Sequence, residues 1–245
     1  MMEAVIFDMD GVLFDTERLS ISCWLETAQR MGLGDIRKGA YGCIGLNRTD
    51  SRIFIRSLYG DAFPYDEFRA ENSALFQEKI ERDGLPVKKG AGELLAWLKE
   101  KGVKTAVASS TNTQTVKSHM ERAGFLPYFQ EIIGGDMVEH SKPRPDIYLM
   151  ACRRLGVEPQ KAAAIEDSPN GIRSAHAAGM LPVMVPDMVE PTAEIEALLY
   201  RKCRDLVEVK NLFEQIFLSS NINKERNTAV RRRESSGLQT AWRQD

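Results

Sequence analysis

Ala4-Val5-Ile6-Phe7-Asp8-Met9-Asp10-Gly11-Val12 carries a short apolar run that ends abruptly in two carboxylates two positions apart. Four consecutive apolar residues read as a strand buried on both faces, the form a parallel strand takes when helices cover both sides of its sheet. Comparable runs recur at residues 105–108, 132–133, 162–165 and 182–185, and stretches of helical periodicity separate these four. Before the run at 105–108, Leu94, Leu95 and Leu98 form a helical stripe, Lys101-Gly102 stops it, and residues 103–108 supply the strand. The pattern predicts an α/β fold, a doubly wound parallel sheet with helices on both faces.

Between the first strand and that helix the pattern changes. Stripes such as Ile21, Trp24, Leu25 and Ala28, then Phe54, Ile55 and Leu58, are helical, and no convincing strand interrupts them. Residues 16–86 are therefore expected as a helical insertion beside a core made of residues 1–15 and 87–218. From residue 219 the chain turns polar and holds Arg231-Arg232-Arg233; Lys224 and five arginines against Glu225, Glu234 and Asp245 give +3, so 219–245 is expected to be a disordered basic tail.

The 245 residues suffice for a disulfide-free core, and Cys23, Cys43, Cys152 and Cys203 lack the paired spacing of a zinc site or disulfide framework. The apolar run after Met1-Met2-Glu3 is too short for a signal peptide or membrane span. A formal net charge of −2 with mixed signs gives the body no pull toward nucleic acid or membrane. A cytoplasmic, monomeric protein is expected.

Ligands of an open parallel sheet bind in the crevice beyond the carboxyl ends of its strands, which is where Asp8 and Asp10 would stand. An aspartate nucleophile divides a slow hydrolysis into phosphorylation and dephosphorylation of the protein. A second acid can protonate the departing alkoxide and later take a proton from the attacking water. Two like charges repel a phosphate dianion, so the arrangement calls for a cation; magnesium, held by one or two carboxylates with phosphate and water, fits. Taken alone, the pair serves equally well to shape a turn in which Gly11 supplies a permissive backbone.

Three further segments bear on the choice. Ser109-Ser110-Thr111-Asn112 offers hydroxyls and an amide at a helix opening, suited to phosphate oxygens or to an ordinary N-cap. Ser141-Lys142-Pro143-Arg144-Pro145 sets a lysine between stiff residues, either as a preorganised cation or as a solvated side chain. Glu166-Asp167-Ser168-Pro169 places a carboxylate pair after another apolar run; Asp167 can bind metal while Ser168 caps a helix with Pro169 at its first position.

In order and approximate spacing, Asp8-Met9-Asp10-Gly11, Ser109, Lys142 and Glu166-Asp167 resemble the four signature motifs of the haloacid dehalogenase-like phosphatases, over residues 1–217. The resemblance implies a Rossmann-like core with an inserted α-helical cap and makes Asp8 the nucleophile, Asp10 the acid/base, and Ser109 and Lys142 their catalytic partners. It implies Mg2+ bound by Asp8, the Asp10 carbonyl and Asp167, with Glu166 a further ligand, either through water or as an orienting group. The dehalogenases themselves lack the second aspartate and the metal, so Asp10 argues against dehalogenation. Residues 11–16, Gly-Val-Leu-Phe-Asp-Thr, resemble the β-phosphoglucomutase subgroup and its sugar-phosphatase relatives. Residues 45–50, Gly-Leu-Asn-Arg-Thr-Asp, resemble that subgroup's substrate loop, where Arg48 would meet a second anionic group or else lie on the surface. Thr16, Ser110 and Arg48 are thus the candidate substrate contacts.

The expected activity is magnesium-dependent hydrolysis of small phosphorylated metabolites, most plausibly sugar phosphates. A hexose-phosphate mutase using the same phospho-Asp8 is the alternative, and a binding protein that keeps only the fold is a third reading. In the mutases resembled here a histidine follows Asp15-Thr16 and restrains the acid/base; Ser20 stands in its expected place and cannot titrate near neutrality.

Overall fold

The computed structural model describes residues 2–44, 46 and 48–219. The basic segment beyond residue 219 lies outside the described residues, as do Gly45 and Asn47 of the loop resembling a substrate loop.

Strands β1 (Ala4–Phe7), β2 (Lys104–Ala108), β3 (Glu131–Ile133), β4 (Ala162–Glu166), β5 (Leu181–Met184) and β6 (Arg201–Lys202) form one sheet in the order β3-β2-β1-β4-β5-β6. Every neighbouring pair is parallel, and Phe7 aligns with Val107 on one side and Ile165 on the other. Adjacent central strands thus end level, which puts the residues after Phe7, Ala108 and Ile165 along one rim. This is the α/β, Rossmann-like core that the apolar runs predict. The short edge strand β6 has no such signal: Arg201 and Lys202 are exposed, and only their alignment with Val183 and Met184 makes them a strand.

Side chains alternate across the sheet. Val5, Phe7, Val107, Ala163 and Ile165 face one apolar cluster; Ala4, Ile6, Ala106, Ala108, Ala162 and Ala164 face the other. The alanine-rich face lets a helix sit close over the strands, and α7 (Asp146–Leu155) does so, burying Ile147, Tyr148 and Ala151 against it. In chain order the remaining elements are α1 (Thr16–Arg30), α2 (Arg37–Gly42), α3 (Arg48–Tyr59), α4 (Tyr65–Asp83), α5 (Ala91–Glu100), α6 (Thr113–Arg122), α8 (Pro169–Ala177), α9 (Ala193–Glu196) and α10 (residues 206–219). Ser219, placed at the head of the polar tail by its composition, instead ends α10. Its hydroxyl donates to the Gln215 carbonyl at 2.9 Å, one turn back, as serine hydroxyls do in helices.

Helices α1 to α4 bury an apolar cluster of their own around Ile21, Trp24, Ala28, Ile55 and Phe68, with Trp24 edge-on to Phe68 at 5.1 Å. The chain leaves the sheet layer and returns to it through two crossings that pair with each other. The Asp15 amide donates to Pro86 at 2.8 Å, the Lys88 amide donates to Leu13 at 2.9 Å, and Phe14 bridges Val87 antiparallel. Asp187, in the loop after β5, locks the crossings with a carboxylate 2 % exposed: it pairs with Lys88 at 2.7 Å and Arg18 at 3.4 Å. Asp15 takes the same two cations at 3.6 and 3.5 Å.

Removing Asp187 leaves two cations with one distant partner. Asp187→Ala should lower stability by about 1–3 kcal/mol, the range for a hydrogen bond to a charged group with partly exposed partners. Urea denaturation checks this, and an unchanged midpoint would show that the lock carries no net stability.

Candidate active site

Asp8 stands one residue past β1, and its amide donates to Ile165 at 2.9 Å, so it continues the ladder between β1 and β4. Glu166 is the last residue of β4 and Asp167 the next. Their carboxylates meet because the two strands are neighbours in register: ligand atoms of Asp8, Glu166 and Asp167 all lie within 4.8 Å of one another, and all three residues are buried. Lys142 reaches this cluster from the loop before α7. Its Nζ donates to Asp8 Oδ1 and Glu166 Oε1, both at 2.6 Å, and to the Ala108 carbonyl at 3.0 Å. The solvated alternative for Lys142 is therefore set aside, since the residue is 3 % exposed with three acceptors.

Glu166 is saturated. Oε1 accepts from Lys142 and from the Tyr148 hydroxyl at 2.6 Å, and Oε2 accepts from Ser168 Oγ at 3.1 Å and the Asp167 amide at 3.2 Å. Ser168 is the N-cap of α8, its Oγ accepting from the Gly171 amide at 3.0 Å, with Pro169 opening the helix. Asp167 has no hydrogen bond on its carboxylate among the described residues and so keeps both oxygens available. Two glycines make room for these carboxylates. Gly11, at φ 81°, would drive a Cβ into the Asp167 carboxylate, and a Cβ on Gly171 would strike the Glu166 carboxylate.

Asp10 sits apart from this cluster. Its Oδ1 accepts from Thr16 Oγ1 at 2.5 Å and its Oδ2 from Thr111 Oγ1 at 2.9 Å. Thr16, expected among the substrate contacts, is 1 % exposed and orients Asp10. Nothing within the run distinguishes its three adjacent hydroxyls, yet it is Thr111, beside the expected Ser109 and Ser110, that reaches Asp10. Ser109 is 1 % exposed and accepts from the Thr111 amide at 3.1 Å, while Asn112, not a serine, caps α6 by accepting from the Thr115 amide at 3.0 Å. Ser109, Ser110, Asp8 and Asp10 line one cleft between the strand ends and α1 to α4. Arg48 lines it too, with an exposed side chain paired to Asp66. Besides Thr111, two residues without a distinguishing sequence signal belong to the site: Tyr148, whose helical position signals only core, and Glu17, which follows Thr16 into the cleft. Across the cleft mouth the Ser141 hydroxyl donates to Asp50 of α3.

Burial pushes the Asp8 carboxyl up to about 8; Lys142 opposes the rise, and Glu166 and Asp10 add to it. Burial, then Glu166 and Asp8, push Asp167 well above the carboxylate range, and burial, then Asp10 and Asp8, raise Glu17 to about 8. Burial works against the charge on Lys142, but Asp8 and Glu166 hold its pKa above the ordinary lysine value. Were all three clustered carboxylates ionised against one ammonium, two negative charges would lack a counterion. A divalent, oxygen-seeking cation fits that deficit, and Asp167 and the remaining Asp8 oxygen are the donors open to it.

In the ion-free protein this strain makes stability depend on pH. Between the ordinary carboxylate pKa of about 4 and the folded value near 8, the native Asp8 and Glu17 hold protons the unfolded chain has released. Stability in chelator should therefore fall as pH rises through that window and level off above it, and added magnesium should raise the melting temperature more at about pH 8 than at about pH 5.5. Thermal melts across the window check this; a Tm that climbs with pH in chelator contradicts it.

Residues 2–179 match a family model for haloacid dehalogenase-like hydrolases. The chain is 31 % identical over 183 residues to the phosphorylated carbohydrates phosphatase of Thermotoga maritima, covering 73 % of this chain and 82 % of that one. It is 31 % identical over 192 residues to the beta-phosphoglucomutase of Bacillus subtilis, covering 75 % and 83 %. The crystal structure of CbbY from Rhodobacter sphaeroides in complex with phosphate superposes with a TM-score of 0.72 at 29 % identity, over 85 % of this chain and 96 % of that one.

Proposed function

This chain belongs to the haloacid dehalogenase-like hydrolase family, and we propose that it is a magnesium-dependent phosphatase of sugar phosphates that works through an aspartyl-phosphate on Asp8. The observation that carries this reading is the separation of the two aspartates. Asp8 is held in a buried, cation-bound cluster, and Asp10, two residues on, is held by two hydroxyls on the cleft wall. Pairs of acids placed in different surroundings take different proton-transfer roles.

Asp8, held in place by the hydrogen bond from Lys142, supplies the oxygen that attacks phosphorus as the phosphorus–oxygen bond to the sugar breaks. Asp10 gives its proton to the departing alkoxide, with Thr16 and Thr111 fixing which way the carboxyl faces. A water then enters, Asp10 takes its proton, and the water oxygen attacks phosphorus to release phosphate and regenerate Asp8. Lys142 opposes the burial that favours protonated Asp8 before attack and balances charge on the phosphoryl oxygens, and Ser109 and Ser110 offer polar groups to the same oxygens. Magnesium, held by Asp8 and Asp167 with the Asp10 carbonyl, would supply the remaining positive charge. Glu166, with every oxygen already bonded, serves to place Lys142 and the α8 cap.

Residues 16–86 act in this reading as a cap. The sugar binds between α1 to α4 and the strand ends, and closure keeps bulk water from the phosphoaspartate. Arg48 is a further contact for an anionic group if it leaves Asp66. The similarity to a beta-phosphoglucomutase supports the mutase alternative. Ser20, which lines the cleft where a titrating residue would restrain Asp10, favours hydrolysis.

Asp8→Asn should abolish phosphate release and phosphoenzyme formation, and Asp10→Asn should cost about 10²- to 10⁴-fold in kcat. With β-glucose 1-phosphate and a trace of bisphosphate, phosphate release should exceed glucose 6-phosphate formation. Isomerisation outrunning release establishes the mutase, and a phosphoenzyme on any other residue overturns the assignment of Asp8.

A further inference from the structure

The cleft holds about 1140 Å³, somewhat above the usual range for a small-molecule site, and the strand-end residues make up only part of its lining. Two buried polar side chains on its walls have no role in that chemistry. His119, on α6, is 2 % exposed, and neither ring nitrogen has a hydrogen-bond partner among the described residues. Asn72, on α4, is 4 % exposed, and its Nδ2 is likewise unpartnered. Buried polar atoms are nearly always paired, so two exceptions lining one cleft point to what the cleft takes in.

The two side chains belong to opposite walls and share a neighbour. Phe76, one turn after Asn72 on the same face of α4, stacks on the His119 ring at 6.3 Å and 27°. Phe14 meets that ring edge-on at 6.1 Å. The imidazole is thereby fixed by one aromatic from the sheet layer and one from the helical insertion. Burial lowers the His119 pKa against the pull of Asp10, which keeps the ring neutral, with one donor and one acceptor nitrogen. A neutral imidazole and an amide donor match hydroxyl groups and not a second anion. Arg69, one turn before Asn72, has its guanidinium over the Trp24 ring at 5.4 Å.

We propose that His119 and Asn72 form a hydroxyl-recognition subsite that binds the unphosphorylated, polyhydroxylated end of the substrate and bridges the two walls of the cleft. This rests on the phosphatase reading and deepens it. Substrates with hydroxyls several carbons from the phosphate are selected over bare phosphate esters because only they satisfy both side chains once α4 has packed against α6. Phe76, which lines the cleft, supplies an apolar wall for the carbon chain, and Phe14 backs the imidazole from within the core.

The test compares kcat/KM, with magnesium, for p-nitrophenyl phosphate and for whichever of a panel of pentose and hexose phosphates the unaltered chain hydrolyses fastest. His119→Phe keeps a ring between Phe14 and Phe76 and removes the nitrogens; Asn72→Leu keeps the volume and removes the amide. Each should lower the ratio of sugar phosphate to p-nitrophenyl phosphate at least tenfold, and His119→Gln should recover part of the loss. Melting temperatures should not fall, because each variant removes an unpartnered buried polar group. Both substrates falling together, or an unchanged ratio, overturns the subsite and leaves the phosphatase reading intact. So does hydrolysis of p-nitrophenyl phosphate alone, with no sugar phosphate turned over. Release from neither class overturns the phosphatase reading and the subsite with it.

Discussion

Lys142 brings one positive charge into a space already holding Asp8, Glu166 and Asp167, and the catalytic end of the fold is arranged around that ion contact. Burying an ammonium is costly unless its partners are close and its protons are all engaged. Here the three acceptors are two carboxylates and a strand-end carbonyl, so the lysine measures whether β1, β2 and β4 end level. Breaking the contact leaves carboxylates facing one another at low dielectric, where repulsion is strong. The parallel register of three strands, the alanine-rich sheet face under α7 and the two glycines beside the carboxylates all serve this one arrangement.

The same charge balance bears on how Asp8 and Asp10, the proposed nucleophile and acid/base, can be two residues apart in the chain. A strand reverses side-chain direction at each residue, but Asp8 and Asp10 already lie beyond β1, where the turn around Gly11 can direct them separately. Asp8 turns toward Lys142. Asp10 turns toward the hydroxyls of Thr16 and Thr111, one from the first residue of α1 and one from the loop after β2. Because Thr16 opens the helical insertion, the orientation of Asp10 is tied to where α1 starts. The salt bridges of Asp187 and Asp15 hold that same junction, so the mechanical link between the two layers and the placement of Asp10 share a few residues.

Much of this was legible in the residues alone. Parallel strands buried on both faces leave apolar runs, and the runs at 4–7, 105–108, 132–133, 162–165 and 182–185 each correspond to a strand because burial on two faces demands them. Asp8, Asp10, Ser109, Lys142, Glu166 and Asp167 could be named because each lies at or near the end of such a run, or in a loop whose motif has a recognisable order. Strand β6 escaped notice because two exposed charged residues form a strand only through a neighbour's backbone.

The residues in order specify an inventory: the five strands that leave apolar runs, the helices between them, and the acids and lysine that the sheet's rim receives. Local propensity and periodicity carry that information, since they depend on neighbours a few positions away. Pairing was left to the packed fold. Tyr148 with Glu166, Thr111 with Asp10, Asp187 with Lys88, and Phe76 with His119 are contacts between residues 18 to 101 positions apart. No local pattern distinguishes such a residue from a core tyrosine, a capping threonine or a surface aspartate. Its role is set by which distant side chain the packing of helices on the sheet brings within hydrogen-bond reach.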